Sequence, residues 1–127
     1  MRKILVVDDE RRIADMIQEF LSRNGFEITK AYGGEEALGV LRSGARFDMM
    51  VVDIRMPKVD GFEVIKTAAA MSIKTPAIVL TGTVDAAKCL VELVGMGFTD
   101  SDIVRKPADL FEILELINSK LGSEEGS

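Results

Sequence analysis

Five residues able to do chemistry stand at the ends of short apolar runs. Lys3-Ile4-Leu5-Val6-Val7 leads into Asp8 and Asp9, Phe47 to Val52 into Asp53, Pro76 to Leu80 into Thr81, and Asp102 to Arg105 into Lys106. Two acids in succession repel each other unless a cation or a proton offsets them. Three carboxylates with backbone carbonyls and water make the oxygen-donor set that a hard divalent ion such as Mg²⁺ takes. An ionised Asp53 is already a nucleophile and needs no base. A cation, the Lys106 ammonium and the Thr81 hydroxyl together neutralise the equatorial oxygens of a phosphoryl group. Each residue alone also has a plain reading. Asp8 or Asp9 can cap a helix, Asp60-Gly61 can be a turn and cap, Thr81 can turn the chain, and Lys106 can be a solvated lysine. The weight lies in their joint position.

That joint position requires the runs to be neighbouring strands. Lys3 to Val7 is apolar throughout, as in a strand buried on both faces. Ile13, Met16, Ile17, Phe20 and Leu21 then follow helical spacing up to Asn24-Gly25. Phe26 to Ala31 reads as a second strand, and Gly33-Gly34 precedes a helix through Ala37, Leu38 and Leu41 that ends near Gly44. Phe47 to Val52 is the third strand, and Asp60 is placed to cap a helix from Phe62 to Met71. Pro76 to Thr81 is the fourth strand, followed by a helix from about Val84 to Val94. After Gly95-Met96-Gly97 comes a short fifth strand, Asp102 to Arg105, with Pro107 at the first position of a last helix through Leu110, Ile113, Leu114, Ile117 and Leu121. Gly122 to Ser127 reads as a flexible polar tail after a single domain of residues 1–121. Strand-helix alternation with short links means a parallel sheet with helices on both faces. Ligands of such sheets bind beyond the carboxyl ends of the strands, where the five residues stand.

The composition narrows the field. The 127 residues carry no histidine, so no Ser-His-Asp or Cys-His mechanism operates within the chain, and it is not a phospho-histidine carrier. The one cysteine, Cys89, allows no internal disulfide or Cys-rich zinc site and reads as a buried thiol in an apolar helix. A net charge of −5 disfavours direct nucleic-acid binding. Met1-Arg2-Lys3 is followed by too short an apolar run for a signal peptide, and no stretch is long enough to span a membrane. A soluble, cytoplasmic protein is expected.

Val7-Asp8-Asp9-Glu10, Asp53 with Met56-Pro57 and Asp60-Gly61, Leu80-Thr81-Gly82 and Lys106-Pro107 stand in one order from Lys3 to about Leu121. With these motifs the sequence resembles the response-regulator receiver domain of two-component signal transduction, in the chemotaxis-regulator-like superfamily. The resemblance implies an α/β fold: a doubly wound, flavodoxin-like five-stranded parallel sheet of order 2-1-3-4-5 with helices on both faces. It implies that Asp53 accepts a phosphoryl group from a phospho-histidine on a sensor histidine kinase or phosphotransfer protein. It places Mg²⁺ on Asp9, Asp53 and the Arg55 backbone carbonyl, with Asp8 acting directly or through water. Thr81 then hydrogen-bonds the aspartyl phosphate, and Lys106 pairs with it across a cis Lys106–Pro107 bond. The domain catalyses its own phosphorylation and dephosphorylation. Its signal leaves through the surface of helix 4, strand 5 and helix 5 to a downstream partner or an output domain. Glu10 is assigned to the first helix's N-terminus rather than to the metal.

Three features depart from the family pattern. Ile103 stands where receivers carry the aromatic switch residue that moves with the threonine, which questions the aromatic half of the switch. Thr81 and Lys106 are 25 residues apart, a few more than usual, with the surplus placed in Gly95 to Ser101. Arg55 and Thr83, two residues beyond Asp53 and Thr81, are expected to overhang the site, with Arg55 screening the phosphate from water. A pseudo-receiver, an interaction module without phosphoryl chemistry, is the main alternative, favoured only by Ile103. A phosphohydrolase of haloacid-dehalogenase type needs an acid at Arg55. No output domain is expected within the chain, and the apolar fourth helix, with Val84, Leu90, Val91, Leu93 and Val94, leaves a phosphorylation-dependent homodimer open.

Overall fold

A computed structural model describes residues 1–82, 86–107 and 109–125, without the side chains of 86–89, 100 and 123–125. Strand β1 (Lys3–Val7) leads to α1 (Arg11–Arg23), β2 (Glu27–Ala31) to α2 (Gly34–Arg42), and β3 (Met49–Asp53) to α3 (Gly61–Ala70). Strand β4 (Ala77–Thr81) leads to α4 (Ala86–Gly95), then a 3₁₀ turn (Asp100–Asp102), β5 (Ile103–Arg105) and α5 (Leu110–Glu125). The sheet is wholly parallel in the order β2-β1-β3-β4-β5, the doubly wound arrangement expected from the alternation.

The apolar runs become strands because both of their faces find cover. Ile4, Val6, Met49, Val51, Ile78, Leu80 and Val104 pack beneath Ala14, Ile17 and Leu21 of α1 and Ile113 and Ile117 of α5. Leu5, Val7, Met50 and Val52 face the other way, onto Ala37, Leu38 and Leu41 of α2 and Val64 and Ala68 of α3. Each fully buried aliphatic side chain of this kind contributes about 1.5–3 kcal/mol relative to exposure. A third, smaller cluster joins Ile54, Val79 and Leu93 with Phe62, Ile65, Phe98 and Ile103.

Register brings the strand ends together. Val7 stands opposite Val52, which sets Asp8 beside Asp53. Asp53 is opposite Leu80 and Thr81 opposite Arg105, so Thr81 and Lys106 lie one step further along the same edge. Backbone bonds extend this order into the loops, from Ile54 N–H to the Leu80 carbonyl (3.0 Å) and from Lys106 N–H to the Thr81 carbonyl (2.7 Å).

Several boundaries differ from the sequence expectation. Asp53 is the last residue of β3, and Phe26 and Phe47 lie outside their strands. Asp102 belongs to the 3₁₀ turn because its Oδ2 accepts the Thr99 N–H (2.8 Å), a local bond that a strand conformation would forfeit. Pro107 is not the first residue of α5. The helix opens at Leu110, and Asp109 caps it by accepting the Phe111 N–H (2.9 Å). Its backbone continues past Leu121 and Gly122 to Glu125. The expectation that Asp60 caps α3 holds, with Oδ1 accepting the Glu63 N–H at 2.9 Å. Expectations for Thr83, Val84 and the Cys89 side chain fall outside the described residues.

Gly61, at the start of α3, sits where a side chain does not fit. A Cβ there would stand 2.4 Å from the Asp53 carbonyl oxygen and 2.8 Å from the Ile54 Cα, both backbone atoms with little freedom to move. Gly61→Ala is therefore expected to lower stability by about 2–3 kcal/mol in urea titration.

Candidate functional site

The carboxyl edge of the sheet holds a compact acidic pocket. Asp8 and Thr81 are buried, and Asp53 is 3% exposed. Carboxylate oxygens of Asp8, Asp9 and Asp53 lie within 4.8 Å of one another, the one such group among the described residues. From the far end of β5, Lys106 sends its ammonium into this group, with Nζ 3.1 Å from Asp8 Oδ2 and 3.1 Å from Asp53 Oδ2. The Lys106–Pro107 bond is cis, as the resemblance implies.

Burial first, and the charge of Asp8 second, push the Asp53 carboxyl up to about 7, with Lys106 pulling against them. Burial alone would lower the Lys106 ammonium, but Asp53 and Asp8 outweigh it and hold the group above its ordinary value. Lys106 thus faces two buried carboxylates of a three-acid pocket. Asp8 Oδ1 accepts the Glu10 N–H at 2.9 Å, whereas Oδ2, though close to Lys106, has no hydrogen bond. A buried carboxylate oxygen without a hydrogen bond, among three converging acids, fits a hard divalent cation.

The structure therefore brings Asp8, Asp9, Asp53 and Lys106 together, with Thr81 buried at the next strand end. Arg55 is exposed in the loop two residues past Asp53. Ile103 is half-buried in the third apolar cluster, against Ile54, Val79 and Leu93, on β5 two residues before Arg105. One contact at the site went unread in the sequence. Glu10 supplies the backbone start of α1, its carbonyl accepting the N–H groups of Ile13 (3.0 Å) and Ala14 (3.1 Å). Its side chain turns instead to Lys106, with Oε1 3.4 Å from Nζ. The available signal was its place, since Glu10 follows Asp8 and Asp9 in the same short link between β1 and α1.

A doubly wound parallel sheet with an aspartate group and a lysine at its carboxyl edge defines a narrow class of α/β domain. Residues 4–118 match the response regulator receiver domain family, and the chain belongs to that family. It is 34% identical over 121 residues to the response regulator GtcR of Aneurinibacillus migulanus, covering 94% of this chain and 48% of GtcR. It is 31% identical to the response regulator SaeR of Staphylococcus aureus, covering 95% of this chain and 51% of SaeR. The chain thus spans about half the length of these relatives. The receiver domain of the Francisella response regulator 1452 superposes with a TM-score of 0.81 at 30% identity, over 100% of both chains. The Vibrio cholerae chemotaxis protein CheY4 gives a TM-score of 0.81 at 31% identity, over 94% of this chain and 98% of that one. Among the described residues no helix is long and apolar enough to cross a membrane.

Proposed function

We propose that the protein is a phosphoacceptor switch in which Asp53 takes a phosphoryl group from a phospho-histidine of a sensor histidine kinase or phosphotransfer protein. The observation that carries this reading is the buried Asp53 carboxylate, 3.1 Å from the Lys106 ammonium and grouped with Asp8 and Asp9. An Asp53 oxygen forms the new O–P bond as the donor's P–N bond breaks, and the histidine nitrogen keeps the electron pair of that bond. Lys106 balances charge on one side of the phosphoryl oxygens, and the Thr81 hydroxyl donates to another. Asp8, Asp9, Asp53 and the Arg55 carbonyl are the groups to hold Mg²⁺, which supplies positive charge that Lys106 alone does not. Hydrolysis returns Asp53 to its carboxylate.

The phosphoryl group adds about 1.5–2 negative charges at the edge shared by β3, β4 and β5. The signal then reaches the surface of α4, β5 and α5, where Val91 and Val94 stand exposed, and passes to a downstream protein or an output domain. Cytoplasmic action beside the kinase fits this chemistry. With Ile103 packed among aliphatic side chains, the threonine half of the switch carries the change.

Intact mass after incubation with Mg²⁺ and acetyl phosphate tests the reading. Wild type is expected to gain about 80 Da, one phosphoryl group, and Asp53→Asn to gain nothing. No gain in wild type, together with no binding of beryllofluoride in the presence of Mg²⁺, would sink it. Arg55 follows Asp53 by two residues in an exposed loop, and in this reading it restricts water at the phosphate, so Arg55→Ala is expected to shorten the lifetime of the phospho-form several-fold. Equal decay rates of the 80 Da adduct would remove Arg55 from that role.

A further inference from the structure

Lys106 answers to three carboxylates, and the third has no place in the phosphoacceptor reading. Its ammonium is 3.1 Å from Asp8 Oδ2, 3.1 Å from Asp53 Oδ2 and 3.4 Å from Glu10 Oε1. The first two are buried acids, whereas the Glu10 side chain is 64% exposed and lies at the mouth of the pocket. An ammonium has three N–H donors. One is aligned as a hydrogen bond to Glu10, while the shorter approach to Asp8 Oδ2 makes none. The lysine thus sits between two buried acids at 3.1 Å and a third, more exposed one at the longer distance.

We propose that Glu10 is a positioning residue that competes from the mouth of the pocket for the Lys106 ammonium and thereby slows phosphorylation of Asp53. The inference rests on the phosphoacceptor reading and deepens it. As the phosphoryl group arrives, its oxygens need the full charge of Lys106 on the Asp53 side, so the Glu10 contact has to break. A pair this exposed exerts a modest hold, and its removal is expected to speed phosphorylation about two- to five-fold.

The test measures phosphorylation rates by intact mass at saturating Mg²⁺ with acetyl phosphate. It compares wild type, Glu10→Gln, Glu10→Asp, Lys106→Met and the Glu10→Gln/Lys106→Met double variant. Glu10→Asp keeps the charge but is one methylene shorter, too short to keep a contact already at 3.4 Å. Both Glu10 variants are expected to react about two- to five-fold faster than wild type, and Glu10→Gln to change nothing in the Lys106→Met background. If Glu10→Gln is no faster, the inference is wrong and the phosphoacceptor reading stands. The same holds if Glu10→Asp matches wild type while Glu10→Gln is faster, or if the gain persists without Lys106. Glu10 then acts by repelling the anionic donor, not through the lysine. If wild type gains no mass and binds no beryllofluoride with Mg²⁺, the phosphoacceptor reading falls and takes this inference with it.

Discussion

With divalent cations removed by chelation, the Asp53→Asn protein is expected to gain stability relative to wild type as pH rises, by about 3–4 kcal/mol between pH 4 and pH 8. The Asp53 carboxyl rises from an ordinary 3.8 to about 7 in the folded protein, through burial and then the charge of Asp8. Between those values the folded state binds a proton that the unfolded chain has released. Stability linked to Asp53 is therefore fully present below about pH 4 and is lost as pH climbs through about 7. Each unit of difference is worth about 1.4 kcal/mol. Asparagine keeps the shape and cannot ionise, so this loss does not occur in the variant. Urea titrations of both proteins at pH 4, 6 and 8 in a chelator measure the gap directly. Parallel curves would mean that Lys106 neutralises the pocket without help from a proton or a metal.

Lys106→Met should have the opposite sign and a strong pH signature. Removing the cation leaves Asp8 and Asp53 buried against each other, and an uncompensated buried charge costs about 3–5 kcal/mol. That loss should appear at pH 8, where Asp53 is driven to ionise. At pH 5 it should shrink, because Asp53 escapes by keeping its proton. The same variant should phosphorylate about 10–100-fold more slowly with acetyl phosphate, since one fixed positive charge on the phosphoryl oxygens is gone. Urea curves at the two pH values and the rate of the 80 Da mass gain separate the effects. A stability loss equal at both pH values would assign the lysine's contribution to the packing of its aliphatic stem.

The site was legible because it is written at strand ends. Parallel strands buried on both faces read as plain apolar runs, and the polar residue that stops each run must lie at one edge of the sheet. Asp8, Asp53, Thr81 and Lys106 are such stops. Residues whose place depends on local competition were harder to read. Asp109, not Pro107, opens α5, because a carboxylate able to accept two free N–H groups outbids a residue that only lacks a donor. Asp102 looked like the first residue of a strand, yet its side chain turns back to Thr99 and makes a 3₁₀ turn instead. Glu10 has one backbone role and a separate side-chain role, and sequence spacing reports the first far better than the second. Ile103 shows what composition alone conceals: an aliphatic residue at the expected aromatic position is seated, half-buried, against Ile54, Val79 and Leu93.

The segment between α4 and β5 falls at the amino edge of the sheet, beside Pro76 and Ala77, across from the acidic pocket. There Met96, Gly97, Phe98 and Asp102 line a hollow of about 180 Å³ with Pro76, Ala77 and Lys120. Lys120 of α5 pairs with Asp102, fastening the 3₁₀ turn to the last helix. Because Thr81 stays paired with Arg105 whatever precedes β5, the chain can lengthen here without moving the carboxyl edge. Reactive chemistry and tolerance to insertion thus occupy opposite poles of one sheet. A protein engineer seeking a place to graft a peptide or reporter would find the better ground at the exposed Gly97, ahead of Phe98, which packs into the core.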